Sequence, residues 1–352
     1  YEARKLDVAA TNETSREFNA RVFTAASNPL SLIASACRFS ADDEENNIVR
    51  SATLKLSSRD AIATGGEPVK ARWLLAPNVV LEPGDEEDDV HRHKELCRWL
   101  FAKLLLELSE EIQALPPRIE LAVQFATSTL LSDLERDSLW KDCWADVGLR
   151  RMKIEVTQTT VDLNSLDVWL DENIRMPVPQ ARLVVAVQLN PLLSDSPSAG
   201  SAEAGVVLLL MPLELVHRHN LVVPVKLHRP VRVAYGTAND ALVPALKWAN
   251  SHASDITSGW QTGFSAAQWG EVCSQDALLG VTKNVIKMDQ SIGFAGIAAP
   301  WLAVACAAKS LSDSEAKQMV FAGSEKTFDC AVLSRSIARD ASASSSATEG
   351  KI

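Results

Sequence analysis

The chain has 352 residues, 47% of them apolar, enough to bury a large core, and its formal charge of -10 repels other polyanions. Broad electrostatic binding to nucleic acid or to an anionic membrane surface is therefore not the expected function. The longest small and apolar run, "GIAAPWLAVACAAK" (296–309), is shorter than the ~20 residues that cross a bilayer, so no membrane span is expected.

Residues 1–90 alternate short apolar runs, "NPLSLIASAC" (28–37) and "ARWLLAPNVVLEP" (71–83), with the polar "ADDEENN" (41–47) and the turn-rich "ATGGEP" (63–68). This pattern predicts a strand-and-loop layer at the start of the fold. The acidic "EPGDEEDD" (82–89) follows, and then Leu96, Leu100, Leu104 and Leu108 recur at helical spacing. A long helix over 90–114 is expected, with carboxylates before the positive end of its dipole.

Beyond "PPR" come a buried strand at 119–126, a helix at 134–148 closing on Gly148, a strand at 150–160 and a helix at 162–173. Two strongly apolar runs, 181–189 and 204–213, flank the polar "SDSPSAGSAEA" (194–204). They predict neighbouring strands joined by an exposed excursion, with a third run at 220–227. "VAYGTANDALVPALKWA" (233–249) reads as strand, Gly turn, Asn239/Asp240 helix start and amphipathic helix. A helix at 265–275, a small-residue helix at 296–311 and a hairpin turning around Gly323 (317–334) follow. From 335 to 352 the chain is a low-complexity tail expected to be disordered. Alternating strands and helices predict a layered α/β architecture.

Several residue groups invite a chemical reading. His93 and Cys97 lie one helical turn apart, with His91 nearby, but no fourth ligand stands at a recognisable spacing, so a solvated helix start is expected rather than a metal site. His217, Arg218 and His219 follow a buried strand, where polar connecting residues belong at the surface. Cys306 sits among Ala and Val, a setting that raises a thiol pKa and favours packing. "GFAG" (293–296) and "TGGE" (64–67) lack the length and the Lys-Ser/Thr of a phosphate loop, so no nucleotide cofactor is expected. Trp140, Trp144 and Trp169 are read as core or groove fillers. The six cysteines, Cys37, Cys97, Cys143, Cys273, Cys306 and Cys330, are scattered and mostly in apolar or helical contexts, which points to a reducing, cytoplasmic setting without disulfides. A start at Tyr1 reads as a processed or trimmed product.

Four stretches, "SAEAGVVLLL" (201–210), "AYGTAND" (234–240), "KNVIKMDQSIGFAGIAAPWLAVACA" (283–307) and "MVFAGSEKTFDCAVLS" (319–334), resemble in order and spacing the second half of the thiolase and β-ketoacyl synthase superfamily. The resemblance implies an α/β, thiolase-like, layered α-β-α-β-α architecture with mixed sheets. It divides the chain into an N-terminal half, 1–180, with a divergent leading segment, a C-terminal half, 181–334, and the tail, 335–352.

That family condenses or cleaves acyl thioesters with a Cys at the start of a buried helix, activated by the helix dipole and neighbouring His. Here Tyr235 stands where the resemblance places the first His, and Gly293-Phe294 stands at the Gly-His pair; neither ring is an imidazole base. The nucleophile junction is best matched by "VTQTTVDLNSLDVWL" (156–170), whose helix start offers Val161, Asp162, Asn164 and Ser165 but no Cys. The expectation is thus a member with no catalytic, cofactor or metal site, similar to degenerate thiolase-like proteins found near type VI secretion effectors in bacteria. It implies a protein-binding adaptor or co-chaperone, a secreted effector or a second thiolase-like chain as partner, and a dimer. Two alternatives remain open: an active acyl-thioester condensing or acyl-transfer enzyme using Ser165, Cys143 or Cys306, and a structural subunit of a heterodimeric condensing enzyme.

Overall fold

In the computed structural model, which describes residues 2–47, 55–77, 79–149, 154–157, 161–175, 180–276, 279–311 and 317–335, the chain opens with a helix, α1 (Glu2–Ala26). This corrects the strand-and-loop reading of the first 90 residues. The segment lacks Gly and Pro and is rich in Ala, Glu and Arg, so it has good helix propensity. Its apolar residues form no stripe, which is why periodicity gave no signal. The last turn docks through Phe23, stacked on Trp248 at 4.8 Å, and through the carbonyl of Ala26, which accepts from Arg229 Nε at 2.9 Å. The run at 28–37 does form a strand, β1 (Leu30–Arg38), and a two-residue pair follows, β2 (Ser58–Arg59) with β3 (Val69–Lys70).

From β1 onward one unit is built twice. The first comprises α2 (Glu86–Glu107), α3 (Ser109–Ala114), β4 (Leu121–Ser128), α4 (Asp133–Asp146), β5 (Ile154–Thr157), α5 (Ser165–Arg175), β6 (Ala181–Gln188) and β7 (Ala204–Pro212). After α6 (Leu213–His219), the second comprises β8 (Val225–Leu227), β9 (Val231–Ala234), α7 (Asn239–Trp248), β10 (Ile256–Thr262), α8 (Ala266–Gln275), β11 (Val285–Lys287), α9 (Met288–Ser291), α10 (Ala299–Ser310), β12 (Lys317–Gly323) and β13 (Thr327–Arg335).

The strands of the first unit run β5-β4-β6-β7-β1, and those of the second run β11-β10-β12-β13 and then β8 and β9. In each, the three leading strands are parallel and the remainder antiparallel. β8 pairs with both β1 and β13, so the two units share one continuous sheet. Strand order divides the chain at α6, whereas the resemblance drew its line at 180.

Side-chain alternation along the strands explains the layering. Val184, Ala186, Val206 and Leu208 face a central layer with α5 and α10, which also takes Val320, Ala331 and Leu333 from the second unit. Val185, Val207 and Leu209 face the other way, onto Leu100, Phe101 and Leu104 of α2 and Trp140 of α4. Met319, Phe321 and Val332 meet Leu242 of α7 and Trp269 of α8. The order is α-β-α-β-α, and burial on both faces accounts for strands that read as unbroken apolar runs. In the centre, Trp169 of α5 stacks on Trp301 of α10 at 6.5 Å. Ala299, Ala303, Ala305 and Ala307 let α10 lie close to its neighbours.

The acidic run forms the first turn of α2, capped by Asp85 in a reciprocal box with Asp88, and the expected 90–114 helix breaks at Leu108. The strand expected at 150–160 is described at 154–157 only, and 336–352 lies outside the described residues.

The excursion expected at 194–204 is largely exposed over 194–200, and its buried flanks are pinned to α2 by polar groups. Arg92 makes a bidentate pair with Glu203 (Nη1–Oε1 3.0 Å, Nη2–Oε2 2.6 Å), and Glu203 also accepts from the backbone N–H groups of Leu74 and Asn190. Asp89 accepts from the N–H groups of Leu192, Leu193 and Ser194. His93 joins them: its Nδ1 accepts from the Leu130 N–H and its Nε2 donates to the Asn190 carbonyl. A solvated helix start is therefore wrong for His93 and Cys97, which are both buried, while His91 is exposed. His217 and Arg218 are at the surface, on α6 rather than in a loop. No helix among the described residues is long and apolar enough to cross a membrane.

Two outcomes are expected. Arg92→Met leaves Glu203 charged and unpaired in the interior and should lower unfolding free energy by about 3–5 kcal/mol in urea titrations. His228 is buried against Ser334 Oγ, and burial, with Lys226 and Lys317 adding to it, lowers its pKa to about 4. A base whose folded pKa lies below its unfolded value binds fewer protons when folded, so stability present above pH 6.5 is lost as pH falls towards 4, by up to about 3 kcal/mol. In His228→Leu that part of the acid sensitivity should vanish.

Candidate functional site

At the start of α5 a partly exposed helix end packs on the central layer and meets both units. Val161 and Leu163 fill the core beneath it, and Trp301 Nε1 donates to the Val161 carbonyl at 3.4 Å. Asp162 and Ser165 then close a reciprocal turn: Asp162 Oδ1 accepts from both the N–H and the Oγ–H of Ser165 at 3.0 Å, and the Asp162 N–H donates to Ser165 Oγ at 3.1 Å. The carboxylate caps the positive end of the helix dipole.

The second unit completes the arrangement. Arg232 of β9 reaches Asp162 Oδ2 through Nη2 (2.7 Å), and grips Asp329 of β13 through Nε (2.6 Å) and Nη2 (2.7 Å). Asp329 also accepts from the Asn164 backbone N–H. Burial pushes the Asp162 carboxyl up, but Arg232 and Ser165 outweigh it and hold the group below the usual range. For Asp329 burial wins over the same guanidinium, and its carboxyl is raised. Arg232 is held firmly protonated, first by its bond to Asp329.

This geometry decides what the helix start can do. The N–H groups of Asn164 and Ser165 are given to Asp329 and Asp162. Ser165 Oγ is engaged both as donor and as acceptor, and its neighbouring carboxylate is too weak a base to activate it.

The other residues singled out from sequence do not join this cluster through the contacts they make. Tyr235 turns its ring into the outer layer of the second unit, between Phe328 (5.7 Å) and Phe264 (5.8 Å), and donates its hydroxyl to the Ser324 carbonyl at 2.6 Å. Burial raises its pKa, so the phenol stays neutral. Phe294 is 41% exposed, its backbone paired with 200–202. Gly293, at φ +102°, has a packing reason: a Cβ there would lie 2.9 Å from the Ser201 carbonyl oxygen and the Ala202 Cβ.

Cys143 is raised by burial to about 11, and Cys306 is raised by its hydrogen bond to Cys37 and by burial. Sequence reasoning missed Arg232 and Asp329; the only local signal was an Arg within the β-branched "VRVA". Clefts of about 330 Å3, beside Val80, Glu82, Asp88 and His91, and of about 170 Å3, beside Thr127, Thr129, Asp133 and Arg136, are not lined by Asp162, Tyr235 or Phe294.

No protein-family model matches the chain, and no curated protein matches its sequence. Solved structures do match its fold. The ketosynthase from module 6 of the bacillaene synthase of Bacillus subtilis 168 superposes with a TM-score of 0.60 at 11% identity, covering 89% of this chain and 71% of that one. The dimeric peroxisomal thiolase of Saccharomyces cerevisiae gives 0.54 at 9%, covering 89% and 100%. A second structure of the peroxisomal 3-ketoacyl-CoA thiolase of that yeast, a five-layered A-B-A-B-A structure of two core domains of identical topology, gives 0.51 at 11%, covering 88% and 99%. The chain has the layered α/β fold of the thiolases and ketosynthases. At these identities the likeness is one of fold.

Arg232→Met should strand Asp329 without its counter-charge and lower stability by about 3 kcal/mol or more at neutral pH. Losing the guanidinium pushes the Asp329 carboxyl further above its unfolded value, so the deficit against wild type should shrink as pH falls. Thermal melts from pH 7.5 to 4.5 read both effects.

Proposed function

We propose that this thiolase-fold protein is catalytically inactive, without catalytic, cofactor or metal site, and works as a protein-binding adaptor or co-chaperone. The observation that carries the reading is the start of α5, where a carboxylate cap and an Asp-Arg-Asp bridge between the units occupy the donors that acyl transfer would need. A scaffold whose polar groups are spent on holding itself together retains large faces for a partner.

The partner class, a secreted effector of a type VI secretion system or a second thiolase-like chain, rests on the resemblance in sequence, and the cytoplasmic setting on the scattered cysteines. Pairing into a dimer is supported by the dimeric yeast thiolase and by β5, which ends the sheet path among the described residues.

The test is incubation with acetyl-, malonyl- and octanoyl-CoA followed by intact mass spectrometry and a free-thiol assay. No acyl adduct and no CoA release above the blank are expected; an adduct on Ser165, Cys143 or Cys306 overturns the reading in favour of an acyl-transfer enzyme. Light scattering after size exclusion should give twice the chain mass at micromolar concentration. A tagged chain expressed beside a type VI effector should retain that effector through purification, and failure to do so removes the adaptor role.

A further inference from the structure

Two thiols and an amine meet where β1 passes α10, away from the α5 cluster. Cys37, near the end of β1, is hydrogen-bonded side chain to side chain with Cys306 of α10. Lys309, one turn beyond Cys306, donates from Nζ to Cys37 Sγ at 3.7 Å. Both cysteines lie in the central apolar cluster, 1% and 0% exposed, whereas Lys309 is an exposed residue. The amine that touches the buried sulfur thus belongs to a side chain that also reaches the surface. All six cysteines are free.

The two sulfurs are not equivalent. Cys306 sits among Ala303, Val304, Ala305 and Ala307, whereas the Lys309 ammonium touches Cys37. The hydrogen bond with Cys306 and that ammonium together hold Cys37 below the ordinary thiol range against the effect of burial. One thiol is set up to attack and the other to resolve.

We propose that Cys37 and Cys306 form a reversible disulfide when the protein meets a hydroperoxide, a staple between β1 of the first unit and α10 of the second. Cys37 thiolate attacks one peroxide oxygen; the S–O bond forms, the O–O bond breaks, and the departing hydroxide is protonated to water. Cys306 then gives up its proton as its sulfur displaces the hydroxyl from the Cys37 sulfenic acid, forming the S–S bond and a second water. Two thiols are oxidised and one peroxide is reduced, and a dithiol reductant reverses the change. The staple joins residues far apart in sequence across the central layer, so it restrains separation of the two units.

Treatment of the full chain with hydrogen peroxide, quenching with iodoacetamide and peptide mapping tests this. The expected product is a Cys37–Cys306 cross-linked peptide, lighter by two hydrogens, that disappears with dithiothreitol, with the other four cysteines alkylated as before. Lys309→Met, which removes only the amine, should slow cross-linking by about three-fold or more at neutral pH, and Cys306→Ser should leave Cys37 as sulfenic or sulfinic acid. The proposal is overturned if folded wild type keeps both thiols free, if cross-links form among the other cysteines, or if Cys37 gains one oxygen and loses two hydrogens in a bridge to Lys309 instead.

Discussion

A buried guanidinium paired with a buried carboxylate decides how the first unit of this protein is assembled. Arg92 and Glu203 are almost fully buried, and neither survives there without the other, because the desolvation of one charge is offset only by the partner and its backbone bonds. Their pairing fixes α2 against the 189–203 connection. That in turn fixes the register in which β6 passes to β7, and Asp89, one turn before Arg92, and the adjacent His93 add bonds to the backbone just beyond β4 and β6. Such a set of contacts adds little net stability over an apolar core of equal volume, but it permits only one placement of the connection.

The same logic recurs between the units. Arg232 stands to Asp162 and Asp329 as Arg92 stands to Glu203, except that Arg232 and Asp162 are half-exposed and their bond is correspondingly weaker. At the start of α5 the charges are matched internally.

How much could be read from the sequence depended on how local the cause was. Strands β6 and β7, apolar throughout because both faces are covered, and helices α8 and α10, bounded by a Ser cap and a Gly-Pro-rich approach, were legible from neighbouring residues alone. Helix α1 was not, since its polar surface carries no periodic signal. At the α5 start, Asp162 and Ser165 could be named as a helix beginning. The closing partner Arg232, seventy residues away, and Asp329, ninety-seven beyond that, could not. The resemblance places Tyr235 at a basic position, and its neighbours in sequence give no sign that its ring packs between Phe264 and Phe328 in the outer layer.

Strand β8, three residues long, is bonded on one side to β1 and on the other to β13. A duplicated unit with its own closed sheet could be copied, lost or traded as a cassette. Because this seam is woven from both copies, neither can be exchanged singly without leaving a raw edge, and the two are committed to inheriting change together.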